Sequence, residues 1–139
     1  MASPTDLTVL FVCQHGSAKS IVAARHFERL AALHGSTVHC LSAGLEPDEA
    51  IPPHVVNGLK TDGLDASGKP RELTRELINQ ATHIVTFGCA LEPLDHFSGV
   101  AVSWDGVPAV SDGYAPARDA IVARLPSLLE TIVAESARD

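Results

Sequence analysis

No stretch of this sequence is apolar for anything near the ~20 residues that a bilayer-spanning helix needs, although 45% of its residues are hydrophobic. That absence predicts a soluble chain with no membrane partner. Positive charge is also scarce: ten Lys and Arg stand against seventeen Asp and Glu, for a formal net charge of −7. A nucleic-acid-binding face needs clustered cations to displace phosphate counterions, and the ten here are scattered, so no nucleic-acid partner is expected. Apart from Lys19 they read as ordinary solvated charge. The opening residues Met1 to Asp6 carry neither a basic start nor an apolar signal core, so export is not expected and a reducing cytoplasm is the expected location. The three cysteines, Cys13, Cys40 and Cys89, are then thiols. At 139 residues the chain needs no disulfide staple to bury a core. Its seven histidines show no tight ligand spacing, so no metal and no other cofactor is expected. With no internal repeat, low-complexity tract or long linker, residues 1–139 read as one domain.

Apolar runs and helical spacings alternate along that domain. Leu7 to Val12 and Val38 to Ala43 have the β-branched, apolar character of buried strands, followed by His83 to Phe87 and Val100 to Trp104. Between the first two, Ile21, Ala24, Phe27, Leu30 and Ala31 recur at helical spacing, with Gly35 as the stop. Short helices are predicted over Pro53 to Asp62 and Thr74 to Gln80, with Thr74 as N-cap. A longer one runs from Tyr114 toward Ala137 and is interrupted at Pro126. Strand-helix alternation of this kind implies a four-stranded parallel, doubly wound α/β sheet with helices on both faces. Ligands of such sheets bind beyond the carboxyl ends of the strands, which brings the turn after strand one, the exit of strand three and the Asp105 to Gly113 loop together.

The first of those turns carries chemistry. The stretch Val9-Leu10-Phe11-Val12-Cys13-Gln14-His15-Gly16-Ser17-Ala18-Lys19-Ser20 passes from an apolar strand through a small-residue loop straight into a helix. Backbone N–H groups from Gln14, His15, Gly16, Ser17, Ala18, Lys19 and Ser20, with the positive helix end, suit a tetrahedral anion. The same field, with the Lys19 ammonium, favours the thiolate of Cys13 and makes it a candidate nucleophile. His15 would add charge as imidazolium or one hydrogen bond as a neutral ring, or else point into solvent. Ser20 would cap the helix, Cys40 would sit in the core, and Cys89 would be either a packed strand-end residue or a redox partner.

These residues resemble the phosphate-binding loop of the low-molecular-weight protein tyrosine phosphatases and the thioredoxin-coupled arsenate reductases, which share one fold. Ser42-Ala43-Gly44 with Pro47, Lys69-Pro70 with Leu73-Thr74, and Val85-Thr86-Phe87-Gly88-Cys89 extend the resemblance over nearly the whole chain, in the family's order. The resemblance implies that Cys13 attacks the substrate, that Ser20 bonds its sulfur, and that Cys89 attacks the adduct in the reductase branch. It also implies a small oxyanion or phosphomonoester substrate and, for a reductase, thioredoxin or a low-molecular-weight thiol as reductant.

Departures from the family pattern select among activities. Lys19 replaces the loop arginine, a point charge in place of a two-pronged donor, and His15-Gly16 replaces the usual glycine-asparagine pair. The phosphatases' aspartate-proline acid aligns with Val107-Pro108, leaving Asp105 or Asp112 to swing in as donor. The third cysteine of the reductase relay is His96. Aromatic residues total 4%, little material for stacking a phosphotyrosine ring. Expelling hydroxide or water from arsenate demands less of a dedicated acid than expelling an alkoxide. The leading expectation is therefore an arsenate-reductase-like enzyme. A phosphatase working through a phosphocysteine is the alternative, and a binder of oxyanions or phosphorylated ligands without turnover is the third reading.

Overall fold

The computed structural model describes residues 7–15, 18–36, 38–66, 68–88 and 99–137. Strands β1 (Leu7–Cys13), β2 (Val38–Gly44), β3 (His83–Thr86) and β4 (Val100–Ser103) form one parallel sheet in the order β2-β1-β3-β4. Helices α1 (Lys19–Leu33), α2 (Pro53–Thr61), α3 (Arg75–Gln80), α4 (Tyr114–Val122) and α5 (Leu125–Ala137) surround it. The chain steps one way from β1 to β2 and the other way from β2 to β3. Right-handed crossovers therefore put α1 and α3 on opposite faces. The reversal falls beside the carboxyl end of β1, where Cys13 sits.

Side-chain alternation along the buried strands supplies both faces. Val9 and Phe11 of β1 and Val85 of β3 pack under α1, α2, α4 and α5 with Phe27, Leu59, Ile121 and Ile132, while Leu10, Val12 and Ile84 pack under Leu77 and Ile78 of α3. Phe11 and Phe27 are fully buried and meet edge to face at 5.9 Å between centroids. Removing either ring would cost about 3–5 kcal/mol. Every residue of β4 is exposed, as befits the sheet's edge strand.

Several local expectations take definite form. Thr74 caps α3, its Oγ1 accepting from the Leu77 amide at 3.1 Å. The interruption expected at Pro126 divides the stretch after Tyr114 into two helices. Continuing α4 would drive the Pro126 ring into the Val122 carbonyl, so the chain turns at Ala123 and Arg124. Pro126 then occupies the first turn of α5, where no intrahelical N–H bond is lost. A 3₁₀ turn at Val110–Asp112 lies in the loop after β4 and was not foreseen. Cys40 is half-buried against the larger core, and burial, with Glu28 nearby, pushes its thiol up to about 12.

One polar cluster ties three helices together. Asp62, just past α2, accepts from His26 Nε2 at 3.1 Å and Tyr114 Oη–H at 2.8 Å on one oxygen, and from Arg118 at 2.7 Å on the other. Burial works to raise the Asp62 carboxyl, but the Tyr114 hydrogen bond and the charges of Arg118 and His26 outweigh it and hold it below the usual range. Burial lowers His26 despite Asp62, and Arg29 and Arg118 add to that lowering. Burial and the bond to Asp62 push the Tyr114 phenol up.

Candidate active site

β1 carries Cys13 to the carboxyl edge of the sheet. Its thiol is almost wholly buried, with Sγ 3.1 Å from the Oγ of the fully buried Ser20. In the thiol form S–H donates across that distance; in the thiolate form the serine hydroxyl must. Ser20 is the second residue of α1. The helix opens at Ala18 with no side-chain cap and no acidic residue in its first turn, so its early amides and positive end have no local anion to satisfy them.

The segment after β2 orients the other half of the loop. Amides of Leu45, Glu46 and Asp48 donate to the carbonyls of Cys13, Gln14 and His15 at 3.3, 2.8 and 3.1 Å. In a trans peptide the N–H lies antiparallel to the C=O, and none of the described peptides is cis. The Gln14 and His15 amides therefore face away from that segment. Gln14 Nε2 also donates to Glu46 Oε1 at 2.5 Å, and His15 Nδ1 lies 3.1 Å from the Glu46 carbonyl.

Beside this loop opens a cleft of about 390 Å³. Cys13, Gln14, His15, Ala18 and Lys19 line it from the loop, Asp48, Pro52 and His54 from the chain between β2 and α2, Phe87 and Gly88 from the exit of β3, and Ala109, Val110 and Ser111 from the loop after β4. The three carboxyl-end loops converge as the topology requires. Gly16, Ser17, Cys89 and His96 lie outside the described residues.

The acid candidates stand apart from the cleft lining. Asp105 is exposed; its Oδ1 accepts from Ser103 Oγ at 3.0 Å and its carbonyl from Arg124 at 2.9 Å. It nevertheless adjoins the cleft, because a Cβ at Gly88 would lie 3.3 Å from Asp105 Oδ1. Gly88 also has φ +78°, a backbone conformation open to glycine. Asp112 is exposed beside Ser111. Val107 is buried in the larger core. Trp104 packs on Phe11 and Phe87, with ring centroids 6.1 and 5.8 Å away, under the Arg124 guanidinium, and Tyr114 is committed to Asp62. Neither ring lines the cleft. Sequence reasoning missed Asp48 and His54 as cleft residues. Their signal was the position of both at the carboxyl side of β2, one of the strand ends that topology makes a ligand edge. Among the described residues no group of three or more His, Cys, Asp or Glu could hold a metal ion.

The family model described as low molecular weight phosphotyrosine protein phosphatase matches residues 8–91. Among solved structures the chain is similar to the thioredoxin-dependent arsenate reductase of Corynebacterium glutamicum, with 27% identity and a TM-score of 0.81 over 97% of this chain and 65% of that one. It thus spans less than two thirds of that relative. An arsenate reductase from Archaeoglobus fulgidus is 28% identical, with a TM-score of 0.72 over 88% of this chain and 98% of that one. The YwlE arginine phosphatase from Geobacillus stearothermophilus shares the fold at 24% identity and a TM-score of 0.79, over 95% of this chain and 96% of that one. No curated protein sequence matches the chain.

Proposed function

This chain belongs to the low molecular weight phosphotyrosine protein phosphatase family, and from that premise we propose that it is an arsenate-reductase-like enzyme whose nucleophile is Cys13. The observation that carries the reading is the Cys13 sulfur, 3.1 Å from the Ser20 hydroxyl, at a cleft flanked by an uncapped helix start. A thiolate there is within reach of a hydroxyl donor and close to amides able to receive oxyanion oxygens. Lys19 contributes the balancing cation. Gln14, His15, Gly16, Ser17 and Ala18 supply the rest of the loop.

The reaction proceeds in two steps. The Cys13 thiolate forms an S–As bond to arsenate as one As–O bond breaks and the oxygen leaves as water, arsenic remaining As(V). A second thiolate, from Cys89 or from a small thiol, then attacks the Cys13 sulfur. The S–As electron pair stays on arsenic, releasing arsenite, and two thiols become a disulfide that thioredoxin or a low-molecular-weight thiol reduces. Two features favour this ending over ester hydrolysis: the buried Val107 at the acid position, and 27–28% identity to two arsenate reductases.

A phosphatase reading is favoured by one observation, the cleft volume. About 390 Å³ accommodates more than a free oxyanion and leaves room for an ester group. Asp105, next to Gly88, would then have to reach the leaving oxygen. The separating experiment measures arsenate consumption with thiol donors and p-nitrophenyl phosphate hydrolysis on wild type, Cys13→Ser and Cys89→Ser. Arsenate turnover in wild type that is lost in Cys13→Ser supports the reductase, and its loss in Cys89→Ser with ester hydrolysis retained assigns the second thiol to Cys89, whereas its survival there assigns it to the small thiol. Turnover that survives Cys13→Ser overturns the shared chemistry. Rapid alkylation of Cys13 near neutral pH, with protection by millimolar phosphate, tests the pocket itself; an unprotected and slow thiol would favour binding without turnover or a structural cysteine.

A further inference from the structure

Breaking the As–O or P–O bond leaves an oxygen that needs a proton, and the residue aligned with the family's acid cannot supply one: Val107 is buried and aliphatic. The described cleft lining holds other proton-bearing side chains, namely His15, Lys19, Asp48 and His54 besides Cys13 and Ser111. Of these, His15 has a defined hydrogen-bond setting. Its Nδ1 lies 3.1 Å from the Glu46 carbonyl oxygen and 3.8 Å from Asp48 Oδ1. A carbonyl oxygen only accepts, so Nδ1 carries a hydrogen and donates it. That bond fixes the ring by one edge and fixes its neutral tautomer. Every proton His15 exchanges therefore passes through Nε2, which has no partner among the described residues.

Resting on the reading of Cys13 as nucleophile, we propose that His15 delivers the proton that the departing oxygen takes, with Asp48 and the Glu46 carbonyl as its positioning groups. In-line attack from the sulfur at the floor puts the leaving oxygen on the open side of the cleft. His15 follows Cys13 by two residues, and its side chain is 59% exposed, as a donor on that side must be. As the Cys13 sulfur adds to arsenic and the As–O bond breaks, the Nε2–H bond breaks too. The oxygen leaves as water and His15 is left neutral. The net charge of thiolate, arsenate and imidazolium is conserved. A proton donor drawn from the loop itself makes the family's separate acid loop dispensable, which fits the Val107 replacement. The charged and titratable groups around the ring are Glu46 and Asp48 on its Nδ1 side, with Lys19, Cys13 and His54 in the same cleft. Among the described residues at the exit of β3 and in the loop after β4, the cleft is lined by Phe87, Gly88, Ala109, Val110 and Ser111.

The test is His15→Asn in the full chain. Asparagine keeps an N–H near the Nδ1 position for the Glu46 carbonyl but has no second nitrogen. Arsenate reduction is followed as kcat and kcat/KM against pH, and arsenate binding is read separately as protection of Cys13 from alkylation. Loss of a general acid should lower kcat roughly 10²-fold, with the protection constant within a few fold of wild type. The pH dependence of kcat/KM should differ between wild type and variant, arsenate's own ionisation being common to both. His15→Gln, which cannot titrate, should behave like His15→Asn. A loss that appears wholly as weaker protection, or an unchanged pH profile in the variants, overturns the proposal. A wild type that turns over no arsenate, or a Cys13→Ser variant that still does, defeats the reading of Cys13 instead.

Discussion

At the scale of single residues, the proposed anion loop makes separate predictions for two side chains. Lys19 offers one ammonium where the family pattern has a planar fork for two oxygens. One added charge-assisted hydrogen bond is worth about 1.5–3 kcal/mol. Lys19→Arg should therefore tighten phosphate protection of Cys13 by roughly tenfold or more; weaker protection would show that the loop has closed around the ammonium. Ser20 is the other. It is fully buried, 3.1 Å from the sulfur, so Ser20→Ala removes the hydroxyl that must donate when the sulfur is ionised. Iodoacetamide alkylation of Cys13 near neutral pH should slow by about tenfold, the equivalent of about 1.4 kcal/mol for a hydrogen bond to a charged group. An unchanged rate would mean that the helix end alone holds the thiolate.

At the scale of elements, α2 and α4 approach closely at Gly58. A Cβ built on Gly58 of α2 would overlap the Tyr114 ring, and the ring cannot withdraw freely because its hydroxyl donates to Asp62. Gly58→Ala should destabilise the fold by about 1–3 kcal/mol as forced overpacking, read as a lower urea midpoint; a neutral result would mean that α4 slides without cost. The elements themselves were largely legible. Val9 to Val12 and Ile84 to Val85 are continuous apolar runs because both faces of a parallel strand are covered, and Thr74 announces α3 through its own hydroxyl. Legibility stopped where the determinant lies outside the local pattern. The 3₁₀ turn at Val110–Asp112 has no period to read. The ladder from Leu45, Glu46 and Asp48 to Cys13, Gln14 and His15 is made of backbone atoms, which leave no residue signature. His26, Asp62, Tyr114 and Arg118 are polar residues far apart in sequence, and nothing local pairs them. Cys13, Lys19 and Ser20 could be singled out as candidates because strand, loop and helix start are contiguous, and the structure brings Cys13 and Ser20 within 3.1 Å. A proton-donor role for His15 could not be read from the sequence because its hydrogen-bond partner, the Glu46 carbonyl, lies 31 residues further along the chain.

At the scale of the whole molecule, the Asp62 cluster makes stability depend on pH. It joins α1 through His26 and Arg29, α2 through Asp62, and α4 through Tyr114 and Arg118. His26 is lowered in the fold from 6.5, so the unfolded chain binds its proton first, and stability falls as pH drops through that value. Asp62 is lowered from 3.8; its contribution is present above 3.8 and is lost as pH falls through the folded value. Both groups act in the same direction, and the fold should weaken on acidification in two stages. Asp62→Asn isolates the second stage. It takes the carboxylate from Arg118 Nη1, whose Nε keeps its bond to Asp119 at 2.9 Å, and leaves His26 and Tyr114 with an amide in place of a charge. Removing one partner of a buried pair costs about 3–5 kcal/mol, and the lower figure is expected because Arg118 is 28% exposed. As pH falls through the lowered value of the folded Asp62, the wild-type carboxyl gains a proton and comes to resemble the amide. The stability gap between wild type and Asp62→Asn, from urea unfolding at successive pH values, should therefore be widest near neutrality and shrink at the acid end. A gap that stayed constant through the acid range would show that Asp62 acts through packing and not through its charge.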